Sequence, residues 1–193
     1  MPKYLPNYYI FIDQYNHRLL NGNNSNIGVI YRNYNGLNRE KELFKIAKVC
    51  KKKRYKLFVS NDIKLTIKTK ADGIYIPAFN KTKRFLNFEK KNFLILGSAH
   101  NQKEIHEKIS QKCKIVFLSP LFNVEKKKHF LGLHKFNFLS KLNKKTIICP
   151  LGGINAQNIY KLKLLNVKGF GGISIFKKKP AHQGAGFQRI KFL

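Results

Sequence analysis

The sequence predicts a parallel α/β barrel, a compact (β/α)8 TIM barrel in a single domain over residues 1–193. Three observations carry this. Short β-branched and aromatic runs alternate with lysine-rich helical stretches, and that alternation builds a parallel sheet. About eight such runs fit into the chain, which favours closure into a barrel over an open doubly wound sheet. The last two runs are marked by glycines: Leu151-Gly152-Gly153-Ile154 follows one apolar run, and a second glycine-rich run, Gly169-Phe170-Gly171-Gly172, comes shortly after. At 193 residues the chain is near the lower size limit of such barrels, so some outer helices should be short or missing.

The strand candidates are Tyr8–Ile12, Ile27–Tyr31, Lys56–Ser60, Gly73–Pro77, Phe93–Leu96, Ile115–Leu118, Thr146–Cys149 and Gly169–Ser174. Most are short, rich in Val, Ile, Phe and Tyr, and end in polar residues or glycine, as buried strands do. Helices are predicted over Arg39–Lys52, Gln102–Gln111, Phe136–Leu142 and Gln157–Leu165, with a shorter one over Ile63–Thr69. In Arg39–Lys52 the apolar residues Leu43, Ile46, Ala47 and Cys50 recur at spacings of three and four, which is one helical face. The segments Asp13–Asn26 and Phe79–Glu89 carry no clear periodicity.

Lys plus Arg number 39 against 9 Asp plus Glu, a formal net charge of +30. Such a charge suits nucleic acid or a phosphorylated ligand. Here the cations are spread along the chain and are mostly lysine, whereas arginine is suited to bidentate contacts. A solvated surface in a chain biased towards Asn, Ile and Phe, as AT-rich codons favour, accounts for the charge. Nucleic acid is therefore not the expected partner. Cys50, Cys113 and Cys149 lie far apart with no metal-ligand spacing, and they fit buried thiols in a reducing cytoplasm. Residues 1–13 lack the apolar stretch of a signal segment or membrane span, so no membrane association is expected.

In a barrel, the residues just beyond each strand gather at the C-terminal rim, where active sites are built. These are Asp13, Arg32, Asn61-Asp62, Asn80, Ser98 and His100, Ser119-Pro120, Gly152-Gly153 and Ser174. Arg32 at a strand end is a natural phosphate clamp. Asp62 is a candidate Mg²⁺ ligand, because Mg²⁺ takes one or two carboxylates plus substrate oxygens; equally, it is placed to cap the helix that follows. Gly152 and Gly153 let backbone N–H groups approach an anion, or simply make a tight turn. His100 is the one rim histidine, and a hydrogen-bonding structural role suits it.

The order Ser60-Asn61-Asp62, Ala71-Asp72-Gly73-Ile74-Tyr75-Ile76, Gly97-Ser98-Ala99-His100, Ser119-Pro120-Leu121-Phe122, Leu151-Gly152-Gly153-Ile154 and Gly172-Ile173-Ser174-Ile175 resembles thiamine phosphate synthase, from about Tyr8 to Phe176. The resemblance implies a (β/α)8 barrel that joins hydroxymethylpyrimidine diphosphate to thiazole phosphate with Mg²⁺ and releases diphosphate. It implies that Arg32, Asn61 and Ser98 hold the diphosphate, with Lys127 as a further cation. Asp62, with Asn80 beside it, would bind Mg²⁺. Gly152 and Gly153 would form the thiazole phosphate cup, closed by the N–H groups of Ser174 and Ile175.

The chain departs from that family chiefly on the diphosphate side. Ile30 and Tyr34 stand where the family has Gln and Lys, Ala78 replaces a Gln, and Asn80 replaces a second Mg²⁺ carboxylate. Pro120 stands where a sister group, the thiazole tautomerases, has its catalytic His. A divergent homologue that binds a thiazole phosphate or another phosphorylated heterocycle, without synthase activity, is the alternative; a basic nucleic-acid-associated protein is the third reading.

Overall fold

The strands of the described residues are buried on both sides along almost their whole length, Lys56 and Ile147 at two strand starts excepted, as a sheet wrapped in helices and closed on itself requires. A computed structural model describes residues 4–20, 26–87, 93–125 and 129–177. Its strands are β1 (Tyr8–Ile12), β2 (Ile27–Tyr31), β3 (Lys56–Ser60), β4 (Gly73–Ile76), β5 (Leu94–Ala99), β6 (Ile115–Leu118), β7 (Ile147–Pro150) and β8 (Phe170–Gly172). All pair in parallel, in the order β7-β6-β5-β4-β3-β2-β1-β8. A parallel bridge between Leu151, just after β7, and Gly171 in β8 brings the two ends together and all but closes the barrel.

The period of two along the strands sorts the apolar residues into two cores. Tyr9, Phe11, Ile30, Phe58, Tyr75, Leu94, Leu96, Ile115, Phe117 and Cys149 fill the barrel interior. Their neighbours, such as Tyr8, Ile10, Val29 and Val59, face outwards onto Leu43, Ile46, Leu65, Ile105 and Phe136 of the helices. Leu43, Ile46 and Cys50 are the buried stripe of the helix Arg39–Lys53; fully burying a side chain of leucine or isoleucine size contributes about 1.5–3 kcal/mol. All three cysteines are buried free thiols. Burial pushes Cys50 and Cys113 up to about 12 and Cys149 higher still, so all three stay protonated at neutral pH.

Several expected boundaries moved. β5 runs on to Ala99, so Ser98 lies inside the strand rather than beyond it. The helix expected from Phe136 begins at Gly132. The stretch expected to be helical over Gln157–Leu165 is a 3-10 helix, Ile159–Leu164. Asn155 Oδ1 takes the N–H groups of Gln157 and Asn158, at 2.9 and 3.1 Å. Such side-chain bonds compete with a regular α-helical start. Short helices His17–Leu20 and Ser174–Lys177 complete the outer layer of the described residues.

Candidate active site at the C-terminal rim

Because the strands are parallel, Arg32, Asn61, Asp62, Asn80, Ser98, Gly152, Gly153, Ser174 and Ile175 all lie at one end of the barrel. Lys127 lies outside the described residues.

Ile30 faces the interior, and Arg32, two residues on, turns back over it. Its guanidinium carbon sits 5.6 Å from the centre of the Phe11 ring, a cation–π contact. Phe11 meets Tyr75 edge-on at 5.4 Å. Burial pushes the Tyr75 hydroxyl well above the usual tyrosine range; a hydrogen bond with Ser98 and the charge of Arg32 work in the opposite direction. Ser98 is itself buried, at 6% exposure. Arg32, Tyr75 and Ser98 therefore form one group at the mouth, above an aromatic floor. Beside them Ser60 Oγ donates to the Tyr34 hydroxyl at 3.3 Å, and Tyr34 meets Phe79 edge-on at 5.9 Å.

The loops after β3 and β4 form a second group. Asp62 caps the helix Ile63–Lys68: its Oδ1 accepts from the Leu65 N–H at 2.8 Å. Its Oδ2 accepts from Arg39 Nη1 at 3.0 Å, while Arg39 Nη2 donates to the Ser60 carbonyl at 3.2 Å. Asn61, at φ 58°, occupies the left-handed region that Asn tolerates. Its Oδ1 accepts from Asn80 Nδ2 at 2.7 Å, and its carbonyl accepts from Arg84 at 3.2 Å. Asn80 Oδ1 accepts from the Thr82 N–H at 2.9 Å.

Below this loop lies Lys108, fully buried although most helix lysines are exposed. Its ammonium donates to the Asn80 carbonyl at 2.7 Å and to Gln111 Oε1 at 2.8 Å. Burial holds it below the ordinary lysine range, with weaker upward pulls from Cys113, Glu107 and Glu104.

These donors do not fit Mg²⁺. Asp62 is the single carboxylate of this group, and both its oxygens are engaged, one by a guanidinium. Asn80 and Asn61 spend their amide oxygens on N–H donors. Among the described residues no cluster of three or more His, Cys, Asp or Glu side chains is placed to hold a metal ion.

On the opposite side of the rim, the bridge between Leu151 and Gly171 sets the Gly152-Gly153 turn beside β8, so the second glycine-rich run is not a turn but strand, with Gly171 and Gly172 inside it. Gly152 and Gly153 have φ of 91° and 72°, so the turn needs glycine. A Cβ on Gly153 would also lie 2.6 Å from the Phe122 carbonyl. Asn158 Nδ2 holds the Gly153 carbonyl at 2.8 Å. Ser174 and Ile175 open the last short helix, where N–H groups have no partner within the helix itself.

His100 is tied down: its Nδ1 and its backbone N–H both lie 2.8 Å from Glu104 Oε2. Asn101 caps the helix Gln102–Ser110, which carries Glu104. Arg39, Arg84, Lys108 and Tyr75 were not foreseen as site residues. Tyr75 alone left a signal, a polar-tipped ring near a strand end two residues after Gly73; the other three are brought in by long-range packing.

A family model described as thiamine monophosphate synthase matches residues 19–176. Thiamine-phosphate synthases of two Prochlorococcus marinus strains are similar to this chain. One is 28% identical over 134 residues, covering 66% of this chain and 37% of that protein. The other, of subspecies pastoris, is 35% identical over 131 residues, covering 64% and 36%. The chain thus spans little more than a third of the length of these curated relatives. Among solved structures, thiamine phosphate pyrophosphorylase from Pyrococcus furiosus superposes with a TM-score of 0.69 at 17% identity, covering 90% of this chain and 91% of that one.

Proposed function

The chain belongs to the thiamine monophosphate synthase family, and on that premise we propose that it is a transferase of thiamine biosynthesis, joining hydroxymethylpyrimidine diphosphate to thiazole phosphate. The thiazole nitrogen attacks the pyrimidine methylene carbon, a C–N bond forms, and the C–O bond to the diphosphate breaks. The electron pair leaves on the diphosphate, so negative charge grows there in the transition state. A fixed cation at that oxygen lowers the barrier, because it needs no reorganisation as the charge develops.

The observation that carries this reading is Arg32, held over Phe11 beside Tyr75 and Ser98. In it, Arg32 and Ser98 take the diphosphate with the Asn61 side-chain N–H, and Lys127 adds a second cation. Gly152 and Gly153, with the N–H groups of Ser174 and Ile175, take the thiazole phosphate. The Mg²⁺ that the family resemblance implies would fall to Asp62 and Asn80; since those donors do not fit it, no step is assigned to a metal. The setting proposed is the cytoplasm, in keeping with three free thiols. Among the described residues no helix is long and apolar enough to cross a membrane.

A second reading is a homologue that binds thiazole phosphate or another phosphorylated heterocycle without turnover. It is favoured by one feature: Asn61 and Asn80 bond to each other, and Asp62, Asn61 and Asn80 are each held by a neighbouring cation. A calorimetric titration with thiazole phosphate, run beside an assay for thiamine phosphate with both substrates, separates the two. Binding with product supports the transferase; binding without product supports the second reading.

A further inference from the structure

We propose that this rim takes a diphosphate without a divalent metal, because protein cations already hold the oxygen-bearing residues that a metal would need. The inference rests on the reading of the rim as a diphosphate site and specifies how that site is neutralised.

Each of the three oxygen-bearing residues of the β3 and β4 loops carries its own cation. Arg39 holds Asp62 Oδ2 at 3.0 Å. Arg84 holds the Asn61 carbonyl at 3.2 Å, and Lys108 holds the Asn80 carbonyl at 2.7 Å. A divalent ion ligated by Asp62 would stand next to the Arg39 guanidinium, and like charges at that separation repel. Asn80 supplies no compensating negative charge, and the buried Lys108 ammonium beneath it raises the local positive potential further.

Nor is Arg39 free to swing aside. It opens the helix Arg39–Lys53 and also holds the Ser60 carbonyl, at 3.2 Å. Moving it would strip both Ser60 and Asp62 of a donor. Its side chain is 18% exposed, and its Nε–H has no partner among the described residues. Lys108 is equally fixed. Among the described residues it has no carboxylate partner; Gln111 shares its grip on the loop, donating to the Asn80 and Thr82 carbonyls at 3.0 and 2.8 Å. Behind it, a Cβ on Gly97 would come within 2.9 Å of the Lys108 stem, so β5 is shaped to let that stem pass.

What this arrangement suits is a polyanion. Guanidinium groups meet phosphate oxygens in a fork and need no metal as intermediary. Arg32 at the mouth and the exposed guanidinium of Arg84 are the groups in position to do so, while Arg39 holds Asp62 back from competing as a negative charge.

The test is calorimetry with inorganic pyrophosphate, in EDTA and in excess Mg²⁺. The wild-type protein is expected to bind pyrophosphate in EDTA, and Mg²⁺ should change that affinity by less than about threefold. Arg39→Gln frees Asp62, and its binding should weaken about tenfold in EDTA and recover with Mg²⁺. Arg84→Gln, on an exposed loop where folding is not at stake, should lose affinity equally in both buffers. Wild-type affinity that rises tenfold or more with Mg²⁺ overturns the proposal. So does the absence of pyrophosphate binding in either buffer. Either failure is separable from failure of the transferase reading, which is judged by thiazole phosphate binding and product formation in Mg²⁺ buffer.

Discussion

Arg39 Nη1 and Asp62 Oδ2 meet at 3.0 Å, joining the first residue of one helix to the cap of the next. The contact gives Asp62 two structural duties that separate by mutation. Asp62→Asn keeps the cap but loses the charge pair, and should cost under about 1 kcal/mol. Asp62→Ala loses both, and should cost about 1 kcal/mol more. Urea denaturation of the two variants measures the difference; equal losses would mean that the cap contributes nothing.

The glycine turn after β7 makes a graded prediction. Gly132 and Gly153 both have positive φ, but a Cβ at Gly132 meets nothing within 4 Å whereas one at Gly153 meets backbone. Gly132→Ala should therefore cost only the left-handed strain, about 1 kcal/mol. Gly153→Ala should cost about 3 kcal/mol or more, because the chain must also shift away from Phe122. Thermal denaturation measures both, and equal costs would contradict the close approach seen at Gly153.

Lys108 predicts an alkaline signature. Its folded pKa is lowered, chiefly by burial, so the unfolded chain binds that proton more tightly. Stability then rises with pH between the folded value and the ordinary lysine value. The Tm of the wild type, taken relative to Lys108→Met, should climb as pH rises from the lowered folded value towards the ordinary lysine value of 10.5. Parallel curves would show that the ammonium is not carried as a buried charge.

Glu104 predicts the acid counterpart. Burial raises its carboxyl, but hydrogen bonds and charge from His100 outweigh that and leave it below the usual range. Its contribution is present above the unfolded glutamate pKa and is lost as pH falls through the lowered folded value. The wild type should be more stable than Glu104→Gln at about pH 6, by under about 1 kcal/mol, and the gap should close as pH falls through the lowered folded value. A gap that stays constant with pH would detach Glu104 from this titration.

The barrel was legible because its strands announce themselves. Tyr8–Ile12, Ile27–Tyr31, Lys56–Ser60 and Ile115–Leu118 are short apolar runs with polar stops, and they form as read. Local bonding that periodicity does not register was lost: Asn155 and Asn158 hold each other and turn an expected α-helix into a 3-10 helix. The rim positions followed from strand ends, but their partners did not. Arg39 lies 23 residues from Asp62, and Lys108 lies 28 from Asn80. In the sequence Lys108 looks like any other helix lysine; only the packing of the β4 loop onto that helix buries it.

The most direct measurement of the central claim is product formation from hydroxymethylpyrimidine diphosphate and thiazole phosphate, followed as thiamine phosphate and released diphosphate together. The account predicts the two products in equal amounts, and a drop in rate of about 100-fold in Arg32→Ala, because the proposed reaction assigns that cation to the leaving diphosphate. Thiazole phosphate that binds to the wild-type protein but yields neither product would contradict it.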